Sequence, residues 1–373
     1  MRVLVAPDAF GGTLSAPDAS RAIIEGWHRH APDDVLTPAA MADGGPGFVD
    51  VLHTAAGGEL SVVTVRGPLG AQVPVTVLRV DDTAYVESAQ ACGLHLVDVD
   101  GRDPLAATTY GVGQAVAAAV RTGARRVVVG LGGSATNDAG AGMLAALGAT
   151  ADGRLDAGPV ALRDVTSVDL SGAVSTLAGV ELVIAADVDV PLLGMFGATR
   201  TFGPQKGLTD TQIIEVDGWL DRFVVATCGQ TPAERRVADT KGAGAAGGLG
   251  FALMLLGGRV ISGIELVADA VGLTSQAALH DLVITGEGTY DFSSRAGKVV
   301  YGVATVAASA ARPCIVLAGQ VSVGSREMRA MGVEAAYAVA DRVGVQASMS
   351  DPYAHLSDLA ERVARTWSPR SLG

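Results

Sequence analysis

Hydrophobic and polar positions along the chain follow two styles. Residues 2–6 form a short apolar run of strand type. Ser15 then offers a helix N-cap, with Pro17 and Asp18 in the first turn, and residues 19–30 carry helical spacing. Residues 35–41 lead into the loop Ala42-Asp43-Gly44-Gly45-Pro46-Gly47, with a helix expected from Phe48. Residues 60–66, 72–80 and 83–87 are instead β-rich and separated by turn signals at Gly67-Pro68 and Asp81-Asp82, which predicts hairpins in a mixed or antiparallel sheet. Helices are expected at 107–121 and 210–227, and buried strands at 125–130 and 181–185.

From Asp281 the strand–helix rhythm returns: strand 282–285, helix 298–311, strand 314–318, a strand near 333–339 and a last helix near 353–367. Strands alternating with helices imply a parallel sheet covered on both faces. The expectation is therefore an α/β protein with a discontinuous outer domain, residues 1–59 and 280–373, and an inserted mixed α/β domain, residues 60–279. Ligands of such sheets bind beyond the carboxyl ends of the strands. The loops at 8–15, 42–47 and 286–298 all follow strands, so they could converge on one crevice.

Composition narrows the function classes. The chain has 373 residues, and 27 Lys plus Arg against 39 Asp plus Glu leave a net charge of −12. That argues against nucleic acid and against anionic membrane surfaces as partners. Glycine, at 49 residues, is nearly double its usual ~7%, which points to tight turns or close backbone approach to a ligand. The three cysteines lie far apart, as in a reducing compartment. Residues 242–258 are uncharged, yet their first half is Gly and Ala; a buried glycine-rich loop entering a core helix is the expectation, not a membrane span. A soluble, cytoplasmic protein follows from these signals.

The strongest local motif is Gly130-Leu-Gly-Gly-Ser-Ala-Thr-Asn-Asp138 after an apolar run. Strand, glycines, then a helix start is how backbone N–H groups are aimed at a phosphate, making Gly132, Gly133, Ser134, Thr136, Asn137 and Asp138 candidate binding residues. The spacing also imitates a dinucleotide fingerprint, which its polar run fits poorly, and a plain structural turn stays open. Walker A is absent, since Gly297-Lys298 has no following Ser or Thr. Asp187 and Asp189 after a strand could hold Mg²⁺ or sit in a solvated turn. Lys206 could be a point charge for a phosphate or an ordinary surface lysine. The loop after residues 282–285 gathers Thr285, Glu287, Asp291, Arg295 and Lys298, a mixture of acid/base carboxylates and cations. Asp8 and Asp43 each follow an early strand beside glycine turns. No HExxH, Cys/His set or GxSxG elbow is present.

Together with Phe202-Gly-Pro-Gln-Lys-Gly207, Gly242-Ala-Gly-Ala-Ala-Gly-Gly-Leu-Gly250, Thr108-Thr-Tyr-Gly111 and Ile284-Thr-Gly-Glu-Gly288, these blocks resemble the class I glycerate kinase family of bacteria, from residue 2 to about residue 320. The resemblance implies a flavodoxin-like α/β domain with an inserted restriction-enzyme-like domain. It implies ATP-dependent phosphorylation of D-glycerate, at the 2-hydroxyl or else the 3-hydroxyl. The sequence departs from the family pattern at Gly11 (usually Lys), Pro46 (usually Glu), Ser293 (usually Gln), Ala186 (usually Cys) and Val190 (often Asn). A kinase for a related small hydroxy acid, and a non-catalytic sugar-acid-binding relative, are the alternatives these departures leave. A homodimer stays open.

Phosphoryl transfer needs positioning, a metal and cations, and often a carboxylate that accepts the hydroxyl proton. The expected roles are Asp187 and Asp189 for Mg²⁺, Asp291 or Asp43 as base, and Lys206 and Lys298 as counter-charges. Gly244 and Gly247 would help cradle phosphates or substrate, with domain closure excluding water.

Overall fold

The computed structural model describes residues 1–291 and 298–369. It is a mixed α/β structure that divides into two compact units. One comprises Met1–Asp43, Asp50–Gly57 and Gly263–Gly373; the other comprises Gly44–Val49 and Gly58–Ser262.

The first unit is built on a five-stranded sheet in the order Ala335–Ala338, Cys314–Ala318, Leu282–Thr285, Arg2–Val5, Val35–Pro38, with every pairing parallel. Val3, Val5, Leu282, Ile284, Ile315 and Leu317 are fully buried, as expected of strands covered by helices. On them pack Ile23 and Trp27 of the helix Ala16–His30, and Leu356, Leu359 and Ala360 of the helix Pro352–Trp367. The first of these helices starts where the sequence predicts: the Ser15 side chain accepts from the Asp18 amide at 3.2 Å. Strand order runs outward from Arg2–Val5 to one side and then returns to its other side with Leu282–Thr285. The switch point of the sheet therefore lies between these two strands, and their carboxyl ends flank the crevice that such a topology offers to a ligand.

The second unit carries a six-stranded mixed sheet in the order Arg259–Ile261, Glu181–Ala185, Arg126–Gly130, Thr83–Glu87, Gln72–Val80, Glu59–Arg66. The last three strands form the antiparallel meander expected from the turn signals. The first four are parallel, so Ile261, Ala185, Gly130 and Glu87 end on one edge. Val77, Val86, Val127 and Val129 pack with Val112 and Val116 of the helix Tyr110–Arg121 and with Phe223 and Phe251.

Three expectations shift. The boundary between the units falls at Gly263 instead of 280, because the helices Gly263–Ala270 and Leu273–Leu279 pack with the helix Val299–Ser309 of the first unit. The strand Arg259–Ile261 is an edge strand of three half-exposed residues, too short and too wet to show a pattern. The helix expected from residue 107 starts at Tyr110, which leaves Thr108 and Thr109 in the loop before it, both buried. The glycine-rich stretch forms the helix Ala245–Leu255, buried through most of its length, with non-helical backbone at Ala246–Gly248. Among the described residues no helix is long and apolar enough to cross a membrane.

Candidate active site

In the first unit, a backbone hydrogen-bond relay extends the sheet past the strand ends. The Ala6 amide donates to the Ile284 carbonyl at 2.7 Å, and the Asp8 amide to the Gly286 carbonyl at 2.8 Å. The Met41 amide donates to the Pro7 carbonyl at 2.9 Å, which brings the segment that ends in Asp43 alongside. Thr285 is buried and its hydroxyl donates to the Ala6 carbonyl at 2.9 Å, so it ties the two switch-point strands together. Asp8 thus stands after one switch-point strand and Glu287 after the other. Glu287 is buried, with its carboxylate 3.7 Å from the Lys298 ammonium.

Burial, reinforced by the negative charge of Asp43, holds the Asp8 carboxyl well above the usual carboxylate range; Glu287 adds to this, and the Ala9 amide and Lys298 oppose it. Asp8, Asp43, Glu287 and Lys298 therefore form one electrostatic group. The same unit has a cavity of about 100 Å³ lined by Phe10, Gly11, Thr13, Gly288, Gly319 and Gln320 among others, with none of Asp8, Asp43, Glu287 and Lys298 in its wall. Asp291 is the last described residue before the segment 292–297. Arg295, and the departure at Ser293, lie outside the described residues.

In the second unit, the loop after the strand Arg126–Gly130 is tied from several sides. Asp138 is fully buried and accepts from the Thr109 amide at 2.8 Å, the Thr109 hydroxyl at 2.9 Å, the Gly140 amide at 3.1 Å and the Gly142 amide at 3.3 Å. Burial raises its carboxyl above the ordinary value and these donors oppose the rise. Its acceptor sites are spent inside the protein, so it shapes the loop without facing a ligand. The Gly133 carbonyl and the Ala135 amide are spent on Leu94 and Cys92.

Lys206 departs furthest from expectation. It is 2% exposed, at the end of the helix Ala198–Lys206. Its ammonium donates to the Thr136 carbonyl at 2.6 Å and to the Ser134 hydroxyl at 3.1 Å. Burial pushes it down to about 8. It is neither a surface lysine nor a mobile point charge; it braces the loop from beneath. The other end of the same helix does likewise, the Asn137 side-chain amide donating to the Thr199 hydroxyl at 2.9 Å. The Asn137 Oδ1 atom is buried with no protein partner.

Gly247 is needed for its backbone: φ is +68°, and a Cβ there would lie 1.9 Å from the Thr136 carbonyl oxygen. Its own carbonyl accepts from the Ala139 amide at 3.0 Å. The Gly244 amide is spent on the Val190 carbonyl at 2.9 Å, so it does not face a phosphate. Asp187 and Asp189 follow the strand Glu181–Ala185, but Asp189 is exposed and its carboxylate sits 2.6 Å from the Lys241 ammonium. Among the described residues no three His, Cys, Asp or Glu side chains gather as a cation cage. Sequence reasoning passed over Glu87, a buried carboxylate at the end of its strand that accepts from the Val49 amide at 3.2 Å. It also passed over Thr199, whose partner lies 62 positions away. The position of Glu87 before the turn into residues 88–92 was the only available signal.

The family model described as the glycerate kinase family matches residues 3–368. The glycerate kinase of Bacillus subtilis (strain 168) is 40% identical over 372 residues, covering 98% of this chain and 96% of that protein. The glycerate 2-kinase of Escherichia coli (strain K12) is 39% identical over 353 residues, 92% of each chain. The crystal structure of a candidate glycerate kinase 2 from Salmonella typhimurium LT2 superposes with a TM-score of 0.78 at 35% identity, covering 98% of each chain.

Proposed function

Because the chain belongs to the glycerate kinase family, we propose that it transfers the γ-phosphoryl group of ATP to the 2-hydroxyl of D-glycerate. The observation that carries this reading is the group Asp8, Asp43, Glu287 and Lys298 at the switch point of a parallel sheet. Neighbouring carboxyls in different surroundings can divide acid and base roles between them, and here Asp8 is the one held above the ordinary range. Asp8 keeps its proton and donates a hydrogen bond to the acid's carboxylate, while Asp43 accepts the hydroxyl proton. Lys298, held by Glu287, offsets charge on the substrate.

The loop 132–137 receives the nucleotide phosphates through backbone N–H groups other than that of Ala135, which is spent on Cys92. Lys206 fixes the loop from below, so its part in catalysis is to position Ser134 and Thr136. The donor set suits a magnesium ion that arrives with the nucleotide, since Mg²⁺ commonly takes one or two carboxylates plus phosphate oxygens and water. Asp187 is the carboxylate we assign to it, Asp189 being committed to Lys241. The ion would neutralise charge on the β- and γ-phosphates. By this reading the first unit is the flavodoxin-like domain, the second is the restriction-enzyme-like domain, and the enzyme works in the cytoplasm.

The base is tested by comparing Asp43→Asn with Asp291→Asn in an ADP-release assay. Loss of about a hundredfold or more in kcat is expected for the first, the usual worth of a general base. Near-normal turnover by Asp43→Asn, with collapse of Asp291→Asn, would transfer the role to Asp291.

A further inference from the structure

Met195 and Phe196 are 74% and 77% exposed. They occupy the two central positions of a turn closed by the Gly197 amide donating to the Gly194 carbonyl at 2.9 Å. Turns favour small and polar residues at such positions, and large apolar side chains are normally covered. This turn is also held firmly. The Gly194 amide lies 3.3 Å from both Asp217 carboxylate oxygens, and the Ala198 amide donates to the Pro191 and Leu192 carbonyls at 3.0 Å each. A rigid aromatic tip of this kind is an anchor presented at low entropic cost.

Its position in the second unit says what it would anchor. The tip leads directly into the helix Ala198–Lys206, which is latched to the glycine loop at Thr199–Asn137 and again at Lys206–Ser134 and Lys206–Thr136. Three residues of chain reach at most about 10 Å, so Phe196 lies close enough to Asn137 for a ribose and its phosphates to span the gap. One helical turn beyond Phe196 is Arg200, exposed and within electrostatic range of Asp217. An exposed aromatic face and an exposed guanidinium four positions further along the chain suit a nucleotide: the base stacks and the cation meets a phosphate.

We propose that the Met195–Phe196 turn is the platform on which the purine base of ATP stacks, with Arg200 directed to its α-phosphate. This rests on the reading that residues 132–137 hold the nucleotide phosphates. Stacking of a base on an aromatic side chain predicts that Phe196→Ala raises the Kd for ADP and the KM for ATP about tenfold. The KM for D-glycerate and kcat should stay within twofold of wild type. Phe196→Tyr should restore nucleotide affinity, and the indole fluorescence of Phe196→Trp should change on titration with ADP. Inorganic tripolyphosphate, which has no base, should bind wild type and Phe196→Ala with the same inhibition constant and so displace ADP more readily from the variant.

Phe196 is exposed, so its replacement leaves folding intact. Unchanged ADP binding in Phe196→Ala would overturn the platform while leaving the phosphate loop standing. Tripolyphosphate that fails to displace ADP from wild type would instead overturn the loop reading on which the platform rests. A drop in sedimentation mass in Phe196→Ala, with nucleotide binding intact, would overturn the platform by making the tip a contact between copies of the chain.

Discussion

Burial, and after it the neighbouring charge of Asp43, hold the Asp8 carboxyl well above the usual carboxylate range. The folded protein binds the Asp8 proton more tightly than the unfolded chain does. Its contribution to stability is therefore full below the ordinary carboxylate value of ~3.9 and is lost as pH rises through the raised value. Asp8→Asn removes that loss while keeping a hydrogen-bond donor. Its Tm should exceed that of wild type at pH 7 and converge with it near pH 4, and kcat should fall less than about tenfold. A variant less stable than wild type at pH 7 would contradict this account of Asp8. Lys206 has the opposite sign. Burial pushes it down to about 8, so the unfolded chain binds the proton more tightly between about 8 and the ordinary ~10.4, and stability rises with pH across that window. The Tm of wild type should gain on that of Lys206→Met as pH rises from 8 to 10; a constant gap would show that Lys206 is not desolvated in solution. At this scale the sequence was least legible. A lysine normally reaches solvent, and nothing local marks one whose partners lie 70 and 72 positions away.

Elements were far easier to read than single contacts. Fully buried parallel strands such as Leu282–Thr285 and Cys314–Ala318 appear in sequence as short apolar runs, and they form where expected. The meander was legible from its turns. The strand Arg259–Ile261 was not, because an edge strand with exposed residues leaves no hydrophobic signature. Glycine content announced close backbone approach, but only the fold shows where it matters. At Gly247 a Cβ would strike the Thr136 carbonyl at positive φ; in the helix Asp210–Cys228, Gly218 has nothing within 4 Å of a Cβ. Gly247→Ala should cost at least ~2 kcal/mol through strain and the shifted loop. Gly218→Ala should be neutral or stabilising by up to ~1 kcal/mol, since alanine is the better helix former. Urea melts of the two variants check this; equal stability would mean that the contact between Gly247 and the loop is not maintained.

At the scale of the whole molecule, two units with separate cores are assembled from a chain that leaves the first unit and returns to it. The expectation of a discontinuous outer domain comes from strand–helix rhythm at both ends of the sequence around a hairpin-rich middle. It placed the return 17 residues late because the two helices from Gly263 carry no strand to announce the change. It located the loops at the strand ends. Asp138, Thr285 and Lys206 make hydrogen bonds within and between these loops, while Asp8, Asp43, Glu287 and Lys298 form one charged group, to which we propose the chemistry belongs. The central claim is that this charged group serves a kinase whose acceptor is D-glycerate, even with Gly11 standing where a lysine is usual in the family. The most direct test is ADP release from Mg-ATP with and without D-glycerate, with phosphorus NMR of the product. The account predicts D-glycerate-dependent ADP release and a signal coupled to the proton on carbon 2. A phosphate on carbon 3, or no turnover by folded protein that binds ATP, would contradict it.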